Sequence, residues 1–259
     1  MATILRDLSY QYQWLYDGIS RLAAVAVGGE EAFRRLPLEG LDIDADAKVL
    51  DLCCGSGQAT NVLTSRSQDV TGLDASPRSI ARAKRNVPQA TYVEAWAETM
   101  PFADETFDLV HTSAALHEMQ PEQLRQILRE VYRVLCPGGI FTLVDFHQPT
   151  NLLFKPGLAL FFWLFETETA WQLLQTDLRQ ELVAAGFQIC RQHLYAGGSL
   201  QVIQAQKAIA EEVEDLEVRE EPEATQAVEG TTVPESGAEP TDPEPTDAGE
   251  TPEETEVAN

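Results

Sequence analysis

The segment that most constrains the fold is Val49-Leu50-Asp51-Leu52-Cys53-Cys54-Gly55-Ser56-Gly57. An apolar run ends in a carboxylate, two glycines follow at alternate positions, and the next residues can continue as a helix. This pattern predicts a strand, a tight loop and a helix N-terminus. Glycines allow the backbone to approach a ligand closely, and ligands in open α/β sheets bind at the carboxyl ends of the strands. The segment therefore predicts a ligand-binding crevice.

A second acid follows at a spacing that is typical of nucleotide-binding sheets. Residues 70–74 are predicted to form a strand that ends in Asp74, 23 residues after Asp51. Such sheets place an acid beside the ribose hydroxyls after about 20 residues. Two alternatives stay open, because Asp74 could cap the helix that begins at Ser76-Pro77, and the loop could bind a dinucleotide. Against the dinucleotide, the third glycine position is Thr60 and the acid precedes the loop.

Strand patterns alternate with helix patterns along the chain, which is typical of a doubly wound α/β sheet. Gly197-Gly198 lies between the last two strand patterns and predicts a hairpin, so the last strand is expected to be antiparallel. The sequence thus predicts a mostly parallel seven-stranded sheet with an antiparallel last strand. The predicted strands are residues 48–52, 70–74, 90–95, 107–112, 140–146, 187–194 and 199–205, and the predicted helices are residues 5–27, 30–36, 58–65, 76–86, 122–135 and 173–185.

Composition divides the chain into three parts. We expect an N-terminal helical lid or cap over residues 1–44 and the sheet domain over residues 45–209. After residue 210 the chain holds 18 acidic residues and one basic residue, so this part carries about −17 of the formal net charge of −24. It has no aromatic residue and cannot bury enough apolar surface to offset the entropy cost of ordering. Residues 210–259 are therefore predicted to form a disordered acidic tail.

Charge and cysteine content limit the partners and the compartment. The negative net charge and the lack of a basic stripe argue against nucleic acid as a partner. The four cysteines show neither a disulfide pattern nor a zinc spacing, which is typical of a reducing compartment and predicts no metal site. The first residues do not resemble a signal peptide, and the longest apolar run, residues 158–165, is shorter than the roughly 20 residues of a membrane span. We expect a cytoplasmic protein that is a monomer or a homodimer.

Five motifs follow one another along the chain: Asp51-x-x-x-Gly55-x-Gly57, Asp74, Ala97-Glu98-Thr99-Met100-Pro101-Phe102, Phe107-Asp108-Leu109-Val110 and Leu135-x-Pro137-Gly138-Gly139. In their order and spacing, residues 45–145 resemble the class I S-adenosylmethionine-dependent methyltransferases. Pro149-Thr150-Asn151 and Gly197-Gly198, together with the glycine loop, also resemble the ubiquinone/menaquinone C-methyltransferase group. The resemblance implies a Rossmann-like methyltransferase fold and S-adenosylmethionine as cofactor.

The resemblance also implies a role for each site residue. The loop of Cys53, Gly55 and Gly57 would run beside the methionine part of the cofactor, while Asp51 would orient that loop or reach the methionine ammonium. Asp74, followed by Ala75, would accept hydrogen bonds from the ribose hydroxyls. Ala97 would offer its backbone to the adenine edge, and Ser113 would lie near the methionine end. Two positions depart from the family pattern: Cys53 replaces the first glycine, and Trp96, which could stack on adenine, replaces an acid.

Methyl transfer from a sulfonium requires little besides alignment of donor and acceptor and exclusion of water. A base is needed only when the acceptor must lose a proton. His117 follows the fourth predicted strand and His147 follows the fifth, so both are candidate bases. The alternative for each is a structural role as a polar surface or loop residue. His111 and His193 are expected to be structural.

The residues after the fifth strand indicate the character of the acceptor. Residues 152–171 carry many large apolar side chains and a single basic residue, Lys155. A segment of this kind suits a small hydrophobic, quinone-like acceptor methylated at carbon or oxygen, or peripheral contact with a membrane surface. A core helix that packs on the sheet is the alternative. For the whole chain, a protein that binds the cofactor without turnover, in a scaffolding or regulatory role, also stays open.

Overall fold

The computed structural model describes residues 27–165 and 168–209. The helix predicted over residues 5–27 and the tail predicted over residues 210–259 therefore lie outside the described residues, except for Val27. Most of the lid or cap expected over residues 1–44 also lies outside them. The described residues include the whole of the predicted sheet.

One seven-stranded sheet organises the described residues, with the strand order β3-β2-β1-β4-β5-β7-β6. All neighbouring strands from β3 to β5 pair in parallel, whereas β7 runs antiparallel to both β5 and β6. The predicted fold class, a doubly wound and mostly parallel sheet with an antiparallel last strand, is confirmed. The strands are β1 (Lys48–Leu52), β2 (Asp69–Asp74), β3 (Thr91–Glu94), β4 (Phe107–Ser113), β5 (Leu135–Phe146), β6 (Phe187–Tyr195) and β7 (Leu200–Lys207).

Helices cover both faces of this sheet. The 14-residue helix after β4 buries one apolar stripe, because its leucine, isoleucine and valine residues recur at helical spacing. One short 3₁₀ turn, Leu36–Leu38, follows the first helix. Three more lie at Leu116–Glu118, Leu152–Phe154 and Ala196–Gly198. The helices are α1 (Glu30–Arg35), α2 (Gln58–Leu63), α3 (Pro77–Asn86), α4 (Pro121–Val134), α5 (Lys155–Phe165), α6 (Glu168–Leu173) and α7 (Leu178–Ala184).

Two clusters of buried side chains lie on opposite faces of the sheet. The larger cluster packs α4 against the central strands and includes Leu50, Val110 and Leu128. The smaller cluster includes Val49 and Leu63 and lies on the other face of β1. Because successive residues of β1 point to opposite faces and both faces are covered, its four residues from Val49 to Leu52 are all buried.

Two predicted boundaries are wrong for local reasons. The helix predicted over residues 173–185 begins only at Leu178, as α7, because Asp177 accepts hydrogen bonds from the backbone of Arg179 and Gln180 and so begins the helix. Leu173, where the helix was predicted to begin, is the last residue of α6. The Pro137-Gly138-Gly139 motif does not follow a helix end directly. Instead, α4 ends at Val134, and β5 already begins at Leu135, which pairs with Phe107 of β4.

An ion pair on α4 holds the loop that follows β3. Arg133 donates from Nε and Nη2 to the two carboxylate oxygens of Glu130, each at 2.8 Å, and donates from Nη1 to the Phe102 carbonyl at 2.8 Å. Glu130 also accepts from the Met100 backbone nitrogen at 2.8 Å. The hydrogen bonds from Arg133 lower the pKa of Glu130. This pair therefore ties residues 100–102 to α4 and limits the movement of the segment that begins at Trp96.

We predict that Glu130→Gln lowers the free energy of unfolding by about 1.5–3 kcal/mol at pH 7, since the bonds it weakens are charge-assisted. A carboxyl group whose pKa is lowered in the folded protein stabilises the fold at pH values above the ordinary pKa of 4.5. This stabilisation is lost as the pH falls through the lower pKa of the folded state. Urea unfolding at pH 7 and at pH 4 measures both effects. Glu122→Gln on the exposed face of α4 is the matched control. An equal loss in both variants, or a difference that grows at pH 4, would contradict the prediction.

Candidate active site

A cavity of about 620 Å³ lies at the carboxyl ends of β1, β2 and β4. Its volume is within the range of 300–1,000 Å³ that is common for small-molecule sites. Eight of the nine cofactor residues expected from the sequence line it, and Gly57 does not. The lining residues are Arg34, Asp51, Cys53, Cys54, Gly55, Ser56, Gln58, Ala59, Leu73, Asp74, Ala75, Ser76, Arg78, Ser79, Arg82, Trp96, Ala97, Glu98, Ser113, Ala114, Ala115, Glu118, Met119 and Gln123.

The loop between β1 and α2 has left-handed backbone at three positions. Cys53, Gly55 and Gly57 have φ angles of 57°, 55° and 86°. A Cβ added at Gly57 would lie 3.3 Å from Val87, whereas one added at Gly55 would meet nothing within 4 Å. Gly57 therefore serves packing, while Gly55 leaves open space beside the cavity. The left-handed φ of Cys53 also explains why a glycine suits that position of the motif.

Asp74 joins the end of β2 to the glycine loop. Its Oδ2 accepts from the Gly55 backbone nitrogen at 2.9 Å, and its Oδ1 accepts from the Ser76 nitrogen at 2.8 Å. Burial raises the pKa of this carboxyl group, and the two backbone hydrogen bonds partly offset the increase. The alternative that Asp74 caps α3 is wrong, because Ser76 is the N-cap and accepts from Ser79. Each carboxylate oxygen keeps a further lone pair for a ligand hydroxyl, so the ribose role stays a prediction that the geometry allows.

Asp51 is almost completely buried beneath the same loop, with 1% of its surface exposed. Its Oδ1 lies 3.1 Å from His111 Nδ1, and its Oδ2 accepts from the Thr60 hydroxyl at 2.5 Å. These contacts connect β1 to β4 and to α2. Of the two roles expected for Asp51, they favour orientation of the loop. His111 is buried in β4 and contributes to this network, in agreement with its expected structural role.

The remaining expected cofactor residues lie around the cavity. Trp96 is at the rim with 65% of its surface exposed, and the adjacent Ala97 is buried. Ala75 lies directly after Asp74 at the exposed edge. Ser113, at the end of β4, accepts a hydrogen bond from the guanidinium of Arg34 at 3.0 Å. The structure therefore brings together the ends of β1, β2 and β4 and the segment after β3.

Cys53 lies among several carboxylates of the cavity wall. Burial raises the pKa of its thiol, and Asp74, Asp51 and Glu118 raise it further. Burial also raises the pKa of the neighbouring Cys54 thiol. A raised pKa disfavours the thiolate, which is the nucleophilic form of cysteine, at both positions.

The sequence interpretation missed several lining residues. Arg34 enters the cavity from α1, which precedes the glycine loop, and Glu118, Met119 and Gln123 line it after β4. No spacing rule links Arg34 to the motif, because its contact with Ser113 joins residues 79 positions apart. Glu118 and Met119 directly follow His117, which was selected because it comes after the fourth predicted strand. The sequence therefore indicated the turn that lines the cavity, but not the residues of that turn that do so.

The two candidate bases do not line the cavity. His117 is buried, and its Nδ1 lies 2.8 Å from Asp145 Oδ1, while its ring packs edge-on against Phe146. His147 Nδ1 lies 2.9 Å from the Gly198 carbonyl, and its backbone nitrogen donates to Ser199. These contacts favour the structural alternative for both residues, so their role as bases stays a prediction. Over residues 27–165 and 168–209, no three histidine, cysteine or acidic side chains cluster as metal ligands would.

The apolar segment after β5 is partly buried and partly exposed. Phe162 is buried against Phe146 and Trp171, with ring centroids 4.9 and 5.3 Å apart, respectively. By contrast, 71% of Leu152 and 84% of Leu153 are exposed. A core helix therefore accounts for only part of this segment. In the described part of the chain, no helix has the length and apolar character needed to span a bilayer.

Comparison with known proteins identifies the class. Residues 49–139 match the family model described as a methyltransferase domain. The chain is 63% identical over 205 residues to a Synechocystis sp. protein described as an uncharacterized methyltransferase, a match that covers 79% of this chain and 97% of that protein. It is 27% identical to a demethylmenaquinone methyltransferase of Paenarthrobacter aurescens, which covers 80% and 86% of the two chains. The solved structure of a SAM-dependent methyltransferase from Methanosarcina mazei superposes with a TM-score of 0.53 at 24% identity, and the match covers 65% of this chain and 95% of that one.

The chain therefore belongs to the class I S-adenosylmethionine-dependent methyltransferases, and its cofactor is S-adenosylmethionine. The residues of the cavity fit this cofactor. Open space beside Gly55 can take a ligand, carboxylates are available for hydroxyl and ammonium groups, and the Nε of the buried Arg34 has no hydrogen-bond partner among the described residues. When bound, the cofactor supplies an electrophilic methyl group. The dinucleotide alternative is wrong.

We predict that Asp74→Ala weakens binding of S-adenosylhomocysteine by about 1–3 kcal/mol, or roughly 5- to 150-fold, because it removes charge-assisted hydrogen bonds. Isothermal titration calorimetry measures the change in Kd. Asp69→Ala is the matched control, since Asp69 is the exposed acid at the opposite end of the same strand. Unchanged affinity in Asp74→Ala would assign that side chain to loop structure alone.

Proposed function

We propose that the enzyme transfers the methyl group to a small hydrophobic, quinone-like acceptor, at carbon or oxygen. Five exposed large apolar side chains within residues 152–171, which we call the apolar surface, carry this proposal: Leu152, Leu153, Phe154, Trp163 and Trp171. A surface of this kind is rare on soluble domains unless it binds an apolar ligand, a protein or a membrane. The likeness to demethylmenaquinone methyltransferases supports the same acceptor class.

A chain of ring contacts connects this surface with the turn that lines the cavity. Trp171 packs on Phe162, Phe162 packs on Phe146, and Phe146 packs on His117. The residues that follow His117 are Glu118 and Met119, and both line the cavity. An apolar tail lying on the surface would thus extend toward the acceptor end of the cavity, and the acceptor ring would enter beside these two residues.

In this proposal the residues of the chain mainly bind, orient and exclude water. Asp51 and Asp74 hold the glycine loop in place, and Met119 with the apolar segment limits access of water to the acceptor. Positioning alone can contribute about 7–11 kcal/mol to a bimolecular transfer. His117 and His147 stay candidate proton acceptors for an acceptor that must lose a proton.

We also propose that the exposed leucine and tryptophan residues touch a membrane surface, from which a lipid-soluble acceptor could enter. Lys155 is the single basic residue of residues 152–171, so such contact would depend on apolar burial and not on anionic lipid. A cytoplasmic monomer or homodimer agrees with this arrangement.

Labelled methyl transfer to a panel of quinols, phenols and polar metabolites tests the acceptor class, and transfer confined to polar metabolites would refute it.

We predict that the double variant Leu152→Ser/Leu153→Ser lowers kcat/KM about tenfold for a naphthoquinol with a long isoprenoid tail. The reason is the loss of part of the roughly 1.5–3 kcal/mol that burial of each leucine provides. For a naphthoquinol without a tail, kcat/KM should stay unchanged. Val183→Ser, which alters an exposed apolar residue of α7, is the control. Equal losses for both acceptors would show that the leucines do not contact the tail.

A further inference from the structure

The 3₁₀ turn Ala196–Gly198, which joins β6 to β7, has left-handed backbone at three successive residues. Ala196, Gly197 and Gly198 have φ angles of 50°, 63° and 87°. Glycine adopts such angles at little cost, whereas a residue with a side chain is strained there. Ala196 nevertheless adopts the same region with a side chain. The φ angles alone therefore do not account for glycine at the next two positions.

The segment that follows β5 occupies the space beside both glycines. A Cβ atom added at Gly197 would lie 2.7 Å from Cε2 and 2.8 Å from Cγ of the Phe154 ring. A Cβ atom added at Gly198 would lie 2.6 Å from the backbone nitrogen of Thr150. Contacts this short force one of the two segments to move. Residues 150–154 can therefore lie directly on the turn only because these two positions have no side chain.

Hydrogen bonds hold the same segment on the turn. The Gly197 carbonyl accepts from the backbone nitrogens of Thr150 and Asn151 at 3.1 and 3.0 Å, and from the Thr150 hydroxyl at 3.3 Å. The side chain of Asn151 accepts in turn from the Leu153 nitrogen at 3.0 Å, so it caps the 3₁₀ turn Leu152–Phe154. The position of that second turn is thus set by the first.

Three of the five side chains of the apolar surface belong to the turn that is held in this way. Leu152, Leu153 and Phe154 are 71%, 84% and 41% exposed. Exposed apolar side chains contribute little to folding, yet hydrogen bonds and a ring contact fix the backbone that carries them. Ordering a binding element before the ligand arrives reduces the entropy cost of binding. The geometry is therefore that of a preorganised element for an apolar ligand.

We propose that the turn Ala196–Gly198 positions the apolar surface for the tail of the acceptor. Gly197 and Gly198 are positioning residues, because they act through Phe154 and Thr150 and not by contact with the acceptor. An acceptor with a long apolar tail consequently depends on both glycines, whereas an acceptor without a tail and the cofactor do not. This inference rests on the proposed function and assigns tail selection to a turn outside the cavity.

Methyl transfer to a naphthoquinol with a long isoprenoid tail, and to one without a tail, tests the positioning role. We expect Gly197→Ala to raise KM for the tailed acceptor about tenfold, with kcat, KM for the tailless acceptor and Kd for S-adenosylhomocysteine changed less than about twofold. Gly40→Ala is the matched control. Gly40 has a similar φ of 77°, but a Cβ there would meet only Arg191 Nη1, at an ordinary distance of 3.6 Å.

A double-mutant cycle separates positioning from a general loss of structure. Phe154→Ala removes the ring that the methyl group of Gly197→Ala would meet. The two losses should therefore not add, and KM of the double variant for the tailed acceptor should equal that of Phe154→Ala alone within about twofold. Fully additive losses would overturn the proposal.

Hydrogen exchange provides a readout that does not depend on the acceptor. The amides of Thr150 and Asn151 should exchange about tenfold faster in Gly198→Ala than in the wild-type protein, and at the wild-type rate in Gly40→Ala. Unchanged exchange in Gly198→Ala would overturn the proposal. Should neither glycine variant fold, the wild-type amides must still exchange at least about 100-fold more slowly than those of an unstructured chain. Exchange at the unstructured rate would overturn it.

The kinetic results also separate this inference from the proposed function. An equal rise of KM for both naphthoquinols, or weaker binding of S-adenosylhomocysteine in Gly197→Ala alone, would overturn the positioning role and leave the acceptor class intact. If the wild-type protein methylated neither naphthoquinol, the acceptor class itself would fail, and the positioning role would fail with it.

Discussion

The buried carboxylate of Asp51 is the constraint on which the site depends. A charged group in this position requires partners on all sides, since an unsatisfied buried ion costs several kcal/mol. His111 from β4 and Thr60 from α2 provide them. Because the two strands pair with Asp51 directly opposite His111, the register of the sheet and the position of α2 are fixed together. The glycine loop lies between these elements, so its left-handed turns follow from a network that lies below the cavity.

The electrostatics of the cavity follow from this arrangement. Burial raises the pKa of the Cys53 thiol, and the charges of four acids, Asp74, Asp51, Glu118 and Glu98, raise it further. The same field favours a cationic group placed beside Cys53 and disfavours an anionic one. Three basic residues, Arg34, Arg78 and Arg82, line the same cavity, and the Arg34 guanidinium donates to Ser113 and Gln58.

The sequence predicts those parts of the fold and site that depend on local patterns. Asp51, the glycines and Asp74 could be placed because a strand-loop-helix unit brings neighbouring residues together in a fixed geometry. The break before α7 was missed because helical spacing continues through Asp177, although that side chain caps a new helix. Arg34 was missed because its contact with Ser113 arises from tertiary packing alone. His117 is an intermediate case. The prediction that a residue after the fourth strand lines the cavity is confirmed, but that residue is Glu118. The 3₁₀ turn Leu116–Glu118 places the His117 ring against Asp145 instead.

The two halves of the cavity differ in how they are built. The donor half consists of strand ends and the glycine loop, whose geometry is set by backbone hydrogen bonds and by the Asp51 network. The acceptor half of our proposal consists of the turn after β4 and the first turn of α4. The apolar segment after β5 contacts this turn from outside the cavity through the rings of Phe162, Phe146 and His117. These ring contacts are separate from the hydrogen bonds by which Asp51 and Asp74 hold the glycine loop. Resemblance to other methyltransferases therefore predicts the donor well, whereas the acceptor must be inferred from this chain's own exposed leucine, phenylalanine and tryptophan residues.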